Sequence, residues 1–145
     1  MDWYSNGFRI SIEYFLSRGY TKAELYATMY GFCDYDHGMQ HTVNQQDTMR
    51  LRNFVEAVLE YTGSEQVDII SHSLGVTYSR RLIKGGFSTA DPKPFYIGEP
   101  LTHRVNTYIG IAGRNWGISH CNLDLYKDFN ICNPVNGGFP GTKDA

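Results

Sequence analysis

One serine stands where a strand pattern gives way to a helix pattern. An apolar, β-branched run ends at Ile70, and a helical pattern begins at Leu74. Ser73 lies between them, with the small residues Ser71 and Gly75 on either side. The order strand, sharp turn, helix with a serine at the turn is typical of a nucleophile elbow, usually written G-x-S-x-G.

The residue types fit the chemistry of such a turn. The turn strains the backbone of the serine, so its flanking positions must be small, and Ser71 meets this need although glycine is usual there. The hydroxyl of Ser73 is then raised out of the sheet, and the Leu74 amide faces the same point as half of an oxyanion hole. His72 is not read as the catalytic histidine, because adjacent side chains point apart. The alternative is an ordinary strand-to-helix turn.

The bulk composition describes a globular domain. The chain has 145 residues, of which 41% are hydrophobic and 19% are charged. A net charge of −2 gives no reason to expect nucleic acid or an anionic membrane surface as a partner. No apolar run reaches transmembrane length, and no signal segment follows Met1.

Apolar periodicity and turn residues predict the elements along the chain. The expected elements are helices over 1–19, 47–61 and 74–84, strands over 25–30, 67–71 and 105–112, loops over 32–46 and 87–104, and an irregular tail over 114–145. The charged residues expected to face solvent are Arg50, Arg52, Glu56, Glu60, Arg80 and Arg81.

This alternation predicts one α/β domain over 1–145, with a parallel sheet that is buried on both faces beneath helices. Sites in such sheets lie at the carboxyl ends of the strands. The loop 32–46, Ser73 and the loop after Gly113 should therefore converge at one edge.

Two other constellations leave alternatives open. Asp34, Asp36, His37 and His41 could suggest a metal site, but their spacing fits no standard zinc pattern, and a polar surface loop is the preferred interpretation. The sequence thus implies no metal and no cofactor. Cys121 and Cys132 could close the tail with a disulfide, or all three cysteines, including Cys33, could be free thiols.

The chain resembles the class 2 lipases of the α/β-hydrolase superfamily, especially their secreted nematode branch. The resemblance covers nearly the whole chain and is carried by Asn6–Arg9, Ser11–Phe15, Met49–Arg52, Val67–Thr77, Leu101–Thr102 and Asn106–Gly113. It implies a secreted enzyme that hydrolyses carboxylic esters of lipids, with a lipid–water interface as a further candidate partner. Only Ser73, as nucleophile, and the Leu74 amide carry over onto residues present here.

The rest of the expected machinery is not recognisable. The family order is serine, then aspartate, then histidine, whereas His120 precedes Asp124 and Asp128. An apolar strand ending in His-Gly near the N-terminus, where the family places the other oxyanion donor, is also missing. The resemblance implies that this strand belongs in the sheet between the strands 25–30 and 67–71. We therefore expect a partial α/β-hydrolase fold that is truncated at both ends and inactive as a fragment. The alternative function is that of a non-catalytic lipid-binding or interaction protein that keeps the scaffold.

Overall fold

The computed structural model describes residues 7–31, 37–89, 93–135, 137 and 138. Its helices are α1 (Arg9–Ser17), α2 (Gln45–Thr62) and α3 (Leu74–Lys84). Its strands are β1 (Val67–His72), β2 (Phe87–Ser88), β3 (Phe95–Tyr96) and β4 (Val105–Ile111). Six short 3-10 helices lie at Lys22–Glu24, Gly38–Gln40, Thr102–Arg104, Ser119–Asn122, Asp124–Tyr126 and Asn130–Cys132.

The central sheet is a parallel pair, β1 with β4. The register aligns Ile70 with Ile109 and His72 with Ile111, and α3 lies in the connection between the two strands. A parallel pair needs such a crossover, because the chain must return to the same end of the sheet. The predicted strands 67–71 and 105–112 are thus confirmed.

The connection from α3 to β4 is more ordered than the loop predicted for 87–104. β2 and β3 form a short antiparallel ladder in which Phe87 pairs with Tyr96. Gly85 ends α3 with a φ of 66°. A Cβ at this position would lie 2.5 Å from the Gly98 carbonyl oxygen, so only glycine allows this close return of the chain.

The core lies where α3 packs against α2 and the sheet. Leu74, Tyr78 and Leu82 recur every four residues on α3 and are all buried, as expected for one apolar face of a helix. Val43 joins Leu74 and Tyr78 in a buried cluster. The Asn44 side chain caps α2 by accepting a 2.8 Å hydrogen bond from the Asp47 amide.

One arginine that was expected to face solvent is buried. Arg52 of α2 is 4% exposed, so that prediction was wrong. Its Nη1 donates to the carbonyl oxygens of Leu82 (2.9 Å) and Glu99 (2.8 Å), and its Nε lies 2.6 Å from Glu56 Oε1. A guanidinium has five donors in a planar fork, which suits it to bridging the end of α3 and the following loop.

Arg81 also departs from the solvent-facing prediction. Its side chain is half-buried and donates from Nη1 to Ser88 Oγ over 3.0 Å. Arg80 is exposed as expected and donates to Asn115 Oδ1 over 2.7 Å.

The sheet is covered on one face only within the described ranges, so the prediction of burial on both faces was wrong. Tyr108 and Gly110 face α3, because both approach Val76 of that helix. Side chains alternate along a strand, so Ile109 and Ile111 face the other way, and they are 47% and 49% exposed. The mixture of helices and a parallel pair is compatible with a partial α/β fold.

The strand predicted over 25–30 is absent from the structure, and that prediction was also wrong. The segment belongs to neither sheet. A strand needs a neighbour for its N–H and C=O groups, and none of the described strands pairs with this segment. The apolar, aromatic run 25–30 therefore has no ladder to join.

The described part of the tail contains short 3-10 helices but no α-helix or strand, and a disulfide links two of its segments. Cys121 and Cys132 are bonded, with their Cα atoms 5.2 Å apart, which resolves the alternatives left open by the sequence. Both cysteines are buried and cluster with Ile131. Cys33 lies outside the described residues. None of the described helices combines the length and apolarity needed to span a membrane.

Replacing Arg52 by methionine tests its bridging role. We expect Arg52→Met to lower the free energy of unfolding by about 2–4 kcal/mol, because the buried bond to the Leu82 carbonyl and the partly buried bond to the Glu99 carbonyl are both lost. Urea unfolding measures the change. Arg80→Met is the control, and it should cost at most about 0.5 kcal/mol because Arg80 is exposed. Equal losses in both variants would contradict the bridging role.

Candidate functional site: the Ser73 elbow

Ser73 occupies a backbone conformation that serine rarely adopts. It lies between the end of β1 and the start of α3, with φ 54° and ψ −127°. Such conformations cost about 1–3 kcal/mol and persist where the surroundings enforce them. The strand, turn and helix predicted around Ser73 are therefore confirmed as a strained turn.

Strand β4 holds this turn from the side. The Ser73 amide donates to the Ile111 carbonyl over 2.9 Å. Ala112, which directly follows β4, has φ 50°. Ser73 and Ala112 are the two non-glycine residues with positive φ in the described ranges. A Cβ at Gly113 would lie 2.6 Å from Val76 Cγ1. The end of β4 thus lies directly against the first turn of α3.

The amide after the serine is left without an acceptor. Leu74 begins α3, and its side chain is buried. The Ser73 carbonyl accepts from the Val76 amide over 3.0 Å, while the Leu74 amide has no hydrogen-bond acceptor among the described residues. A free amide at the N-terminus of a helix can stabilise negative charge.

A polar and aromatic cluster lies behind the elbow, and the sequence did not predict it. His41 Nε2 lies 3.2 Å from Asp47 Oδ2 and 3.3 Å from the hydroxyl of Tyr78. The Tyr30 ring stacks beside Tyr78, with a centroid distance of 5.1 Å. A Cβ on Gly75 would lie 3.5 Å from Tyr30 Cε1, so this tyrosine contacts the elbow helix itself.

Burial changes the ionisation of both tyrosines. Burial, with a smaller contribution from the negative charge of Asp47, raises the pKa of Tyr78 well above its usual value of 10. Burial also raises the pKa of Tyr30. Both phenols therefore remain neutral hydrogen-bonding groups.

Arg114, just beyond β4, is a cation that acts on this cluster. Burial lowers its pKa, and neighbouring Tyr30 and Tyr78 partly oppose that shift. Its Nε and Nη1 atoms are buried without a hydrogen-bond partner in the described part of the chain. Arg114 thus adds positive charge to the edge where β1 and β4 end.

No histidine side chain forms a hydrogen bond with Ser73 in the described structure. Ser73 Oγ has no hydrogen-bond partner among those residues. His41 is bonded to Asp47 and Tyr78, the ring of His120 packs against Tyr126, and His72 is exposed. The structure thus forms a strained turn at Ser73 and Leu74, with no histidine of the described ranges bonded to the serine.

The metal alternative rests partly on residues that are not described. Asp34 and Asp36 lie outside the described ranges, while His41 is occupied by Asp47 and Tyr78. Among the residues that the structure does describe, no group of three or more metal-ligating side chains comes together.

An open pocket of about 580 Å³ lies away from the serine. Its lining includes Leu59, Gly63, Gln66 and Arg104. Gln66 and Arg104 precede β1 and β4, so this pocket is at the amino end of the sheet, opposite Ser73. Ligands of parallel sheets bind at the carboxyl ends.

Comparison with protein families gives the assignment. The family described as Lipase (class 2) matches residues 2–140. The chain belongs to the class 2 lipase family. No curated protein matches the chain.

Membership in the class 2 lipases indicates ester hydrolysis at the level of the family, with a lipid or another ester as substrate. The match covers the elbow, β4 and the disulfide-closed tail. The sequence motif led to Ser73 and Leu74, whereas the cluster around Tyr78 carried no motif. The sequence gives one indication of this cluster: Leu74, Tyr78 and Leu82 recur every four residues, which predicts that Tyr78 faces the core.

The buried tyrosines predict an alkaline limit to stability. Below pH 10, the usual tyrosine pKa, Tyr30 and Tyr78 are protonated in both the folded and the unfolded protein, so ionisation does not reduce the free energy of unfolding. Above it, the unfolded chain loses protons first, so stability should fall by up to about 1.4 kcal/mol per pH unit for each buried tyrosine. Urea unfolding from pH 8 to pH 11 measures the slope.

Tyr78→Phe should reduce the slope in this alkaline titration, although it also removes hydrogen bonds and lowers stability at every pH. Tyr61→Phe, at a side chain that is 82% exposed, should keep the parent slope. A slope unchanged by Tyr78→Phe would show that Tyr78 ionises equally in both states.

Proposed function

We propose that this chain carries the nucleophile of a serine ester hydrolase, with Ser73 attacking the acyl carbon and the Leu74 amide stabilising the oxyanion. The strained backbone of Ser73, φ 54° and ψ −127°, is the observation that carries the proposal. A serine has no ordinary reason to adopt this conformation, and nucleophile elbows require it. The family match supports ester chemistry.

The proposal includes the finer assignments implied by the resemblance. The fold is a partial α/β-hydrolase in one domain over 1–145, from the secreted nematode-type branch, and the protein is extracellular. The disulfide between Cys121 and Cys132 supports an oxidising compartment.

Turnover by this chain should be slow. A serine hydroxyl needs a neighbouring base to become a good nucleophile, and no described histidine bonds to Ser73 Oγ. The free Leu74 amide and the elbow geometry remain, and such features alone retain part of the rate enhancement of serine hydrolases.

A fluorophosphonate probe tests the nucleophile. We expect slow labelling of the folded protein at one site, measured by intact mass, and no labelling of Ser73→Ala. The control is Ser79→Ala, a buried serine on the same helix, which should keep the label. A folded parent that is not labelled, or a Ser73→Ala variant that still is, would overturn the assignment.

A second candidate is lipid binding without turnover. The observation that favours it is the exposure of large apolar side chains after β4, with Trp116 90% and Leu125 78% exposed. Exposed apolar side chains of this size are typical of interaction surfaces. They follow the strand whose carboxyl end meets the elbow, which suits contact with a lipid–water interface.

Vesicle sedimentation distinguishes the two candidates. The variants Trp116→Ser and Leu125→Ser should each weaken binding to phosphatidylcholine vesicles by about 1 kcal/mol or more, because each removes an exposed apolar side chain that the vesicle would bury. Tyr61→Ser, at a comparably exposed position on α2, is the control. Binding together with ester turnover lost in Ser73→Ala supports the enzyme, and binding without turnover supports the alternative. Unchanged binding in both variants excludes this surface.

A further inference from the structure

Ser71, at the position where the elbow motif usually has glycine, makes a partly buried hydrogen bond. Its side chain is 7% exposed, and its Oγ donates to the Tyr108 hydroxyl over 3.0 Å. A small side chain would be enough to fit the turn. The hydroxyl of Ser71 is therefore an additional feature, and it reaches across to β4.

The Tyr108 hydroxyl also forms a hydrogen bond on the helix side of the elbow. It donates to the Val76 carbonyl in the first turn of α3 over 3.2 Å. Ser71 lies two residues before Ser73 and Val76 lies three after it. One phenolic oxygen thus joins the strand side and the helix side of the strained turn.

The space for this hydroxyl is created by a glycine in the same strand. A Cβ at Gly110 would lie 3.3 Å from the Tyr108 hydroxyl and 3.1 Å from Val76 Cγ1. Both distances are tighter than ordinary contacts. The smallest residue therefore stands where β4, the Tyr108 hydroxyl and α3 meet.

We propose that Tyr108 is a positioning residue for the Ser73 elbow, and that its hydroxyl, bonded to Ser71 and Val76, fixes the direction in which residue 73 points. The proposal rests on the proposed function of Ser73. The strain at Ser73 persists only if both ends of the turn are held. The Ile111 carbonyl holds the Ser73 amide, and Tyr108 holds the two segments that flank it.

The test replaces the serine by a thiol, so that it needs no catalytic base. The background protein carries Ser73→Cys and Cys33→Ser, and the Cys121–Cys132 disulfide stays oxidised. The thiol introduced at position 73 is then the only free one in the chain. Its alkylation by iodoacetamide is followed from pH 5 to pH 10, because thiolate formation at a helix N-terminus depends on the position of the sulfur.

In this background, Tyr108→Phe should slow alkylation on the order of tenfold at neutral pH, since a sulfur displaced from the helix N-terminus has a higher pKa and therefore a smaller fraction of reactive thiolate. The midpoint of the pH–rate profile should also rise toward the ordinary thiol value of about 8.5. Ser71→Ala removes the other partner of the same hydrogen bond and should slow alkylation to the same extent. The double variant should be alkylated no more slowly than either single variant. Tyr61→Phe should leave the profile unchanged.

Two results would overturn the proposal. In the first, the variants lower the free energy of unfolding while the alkylation profile of the introduced thiol stays the same, so that the hydroxyl only stabilises the fold. In the second, the losses from Tyr108→Phe and Ser71→Ala add, so that the two groups act separately. Should Tyr108→Phe fail to fold, Ser71→Ala decides alone. Failure here is distinct from failure of the proposed function, which is judged by fluorophosphonate labelling of the parent serine.

Discussion

The hydrogen bond from the Ser73 amide to the Ile111 carbonyl is the constraint on which the rest of the site depends. It extends the β1–β4 pairing by one residue into the turn, so the serine is held at the edge of the sheet while α3 departs. Using the Ser73 amide in this way leaves the following amide, that of Leu74, for another acceptor. The same turn therefore combines the end of the strand pairing, the strained backbone of Ser73 and a Leu74 amide that has no acceptor among the described residues.

The elements that local pattern specifies strongly were predictable. Val67, Ile69 and Ile70 form a β-branched run beside small turn residues, and β1 and the elbow follow from it. Apolar periodicity predicted a helix over 47–61, and α2 spans Gln45–Thr62. These signals are local, so they survive without knowledge of the tertiary structure.

The failures share a physical cause, which is dependence on distant partners. The segment 25–30 has strand-forming residues, yet no strand in the described part of the chain offers it hydrogen bonds. Arg52 looks like a surface residue on its helix, but it is buried because the carbonyls of Leu82 and Glu99 come to it from elsewhere in the chain. Tyr108 lies in the predicted strand 105–112, and only the fold reveals which atoms its hydroxyl joins.

Amide hydrogen exchange at Ser73 and Leu74, resolved by NMR, tests the central claim most directly. That claim is that β4 occupies the Ser73 amide and leaves the Leu74 amide available to an oxyanion. We expect a strongly protected Ser73 amide and a rapidly exchanging Leu74 amide in the same folded protein. A rapidly exchanging Ser73 amide, or a Leu74 amide protected as well as those in the middle of α3, would contradict it.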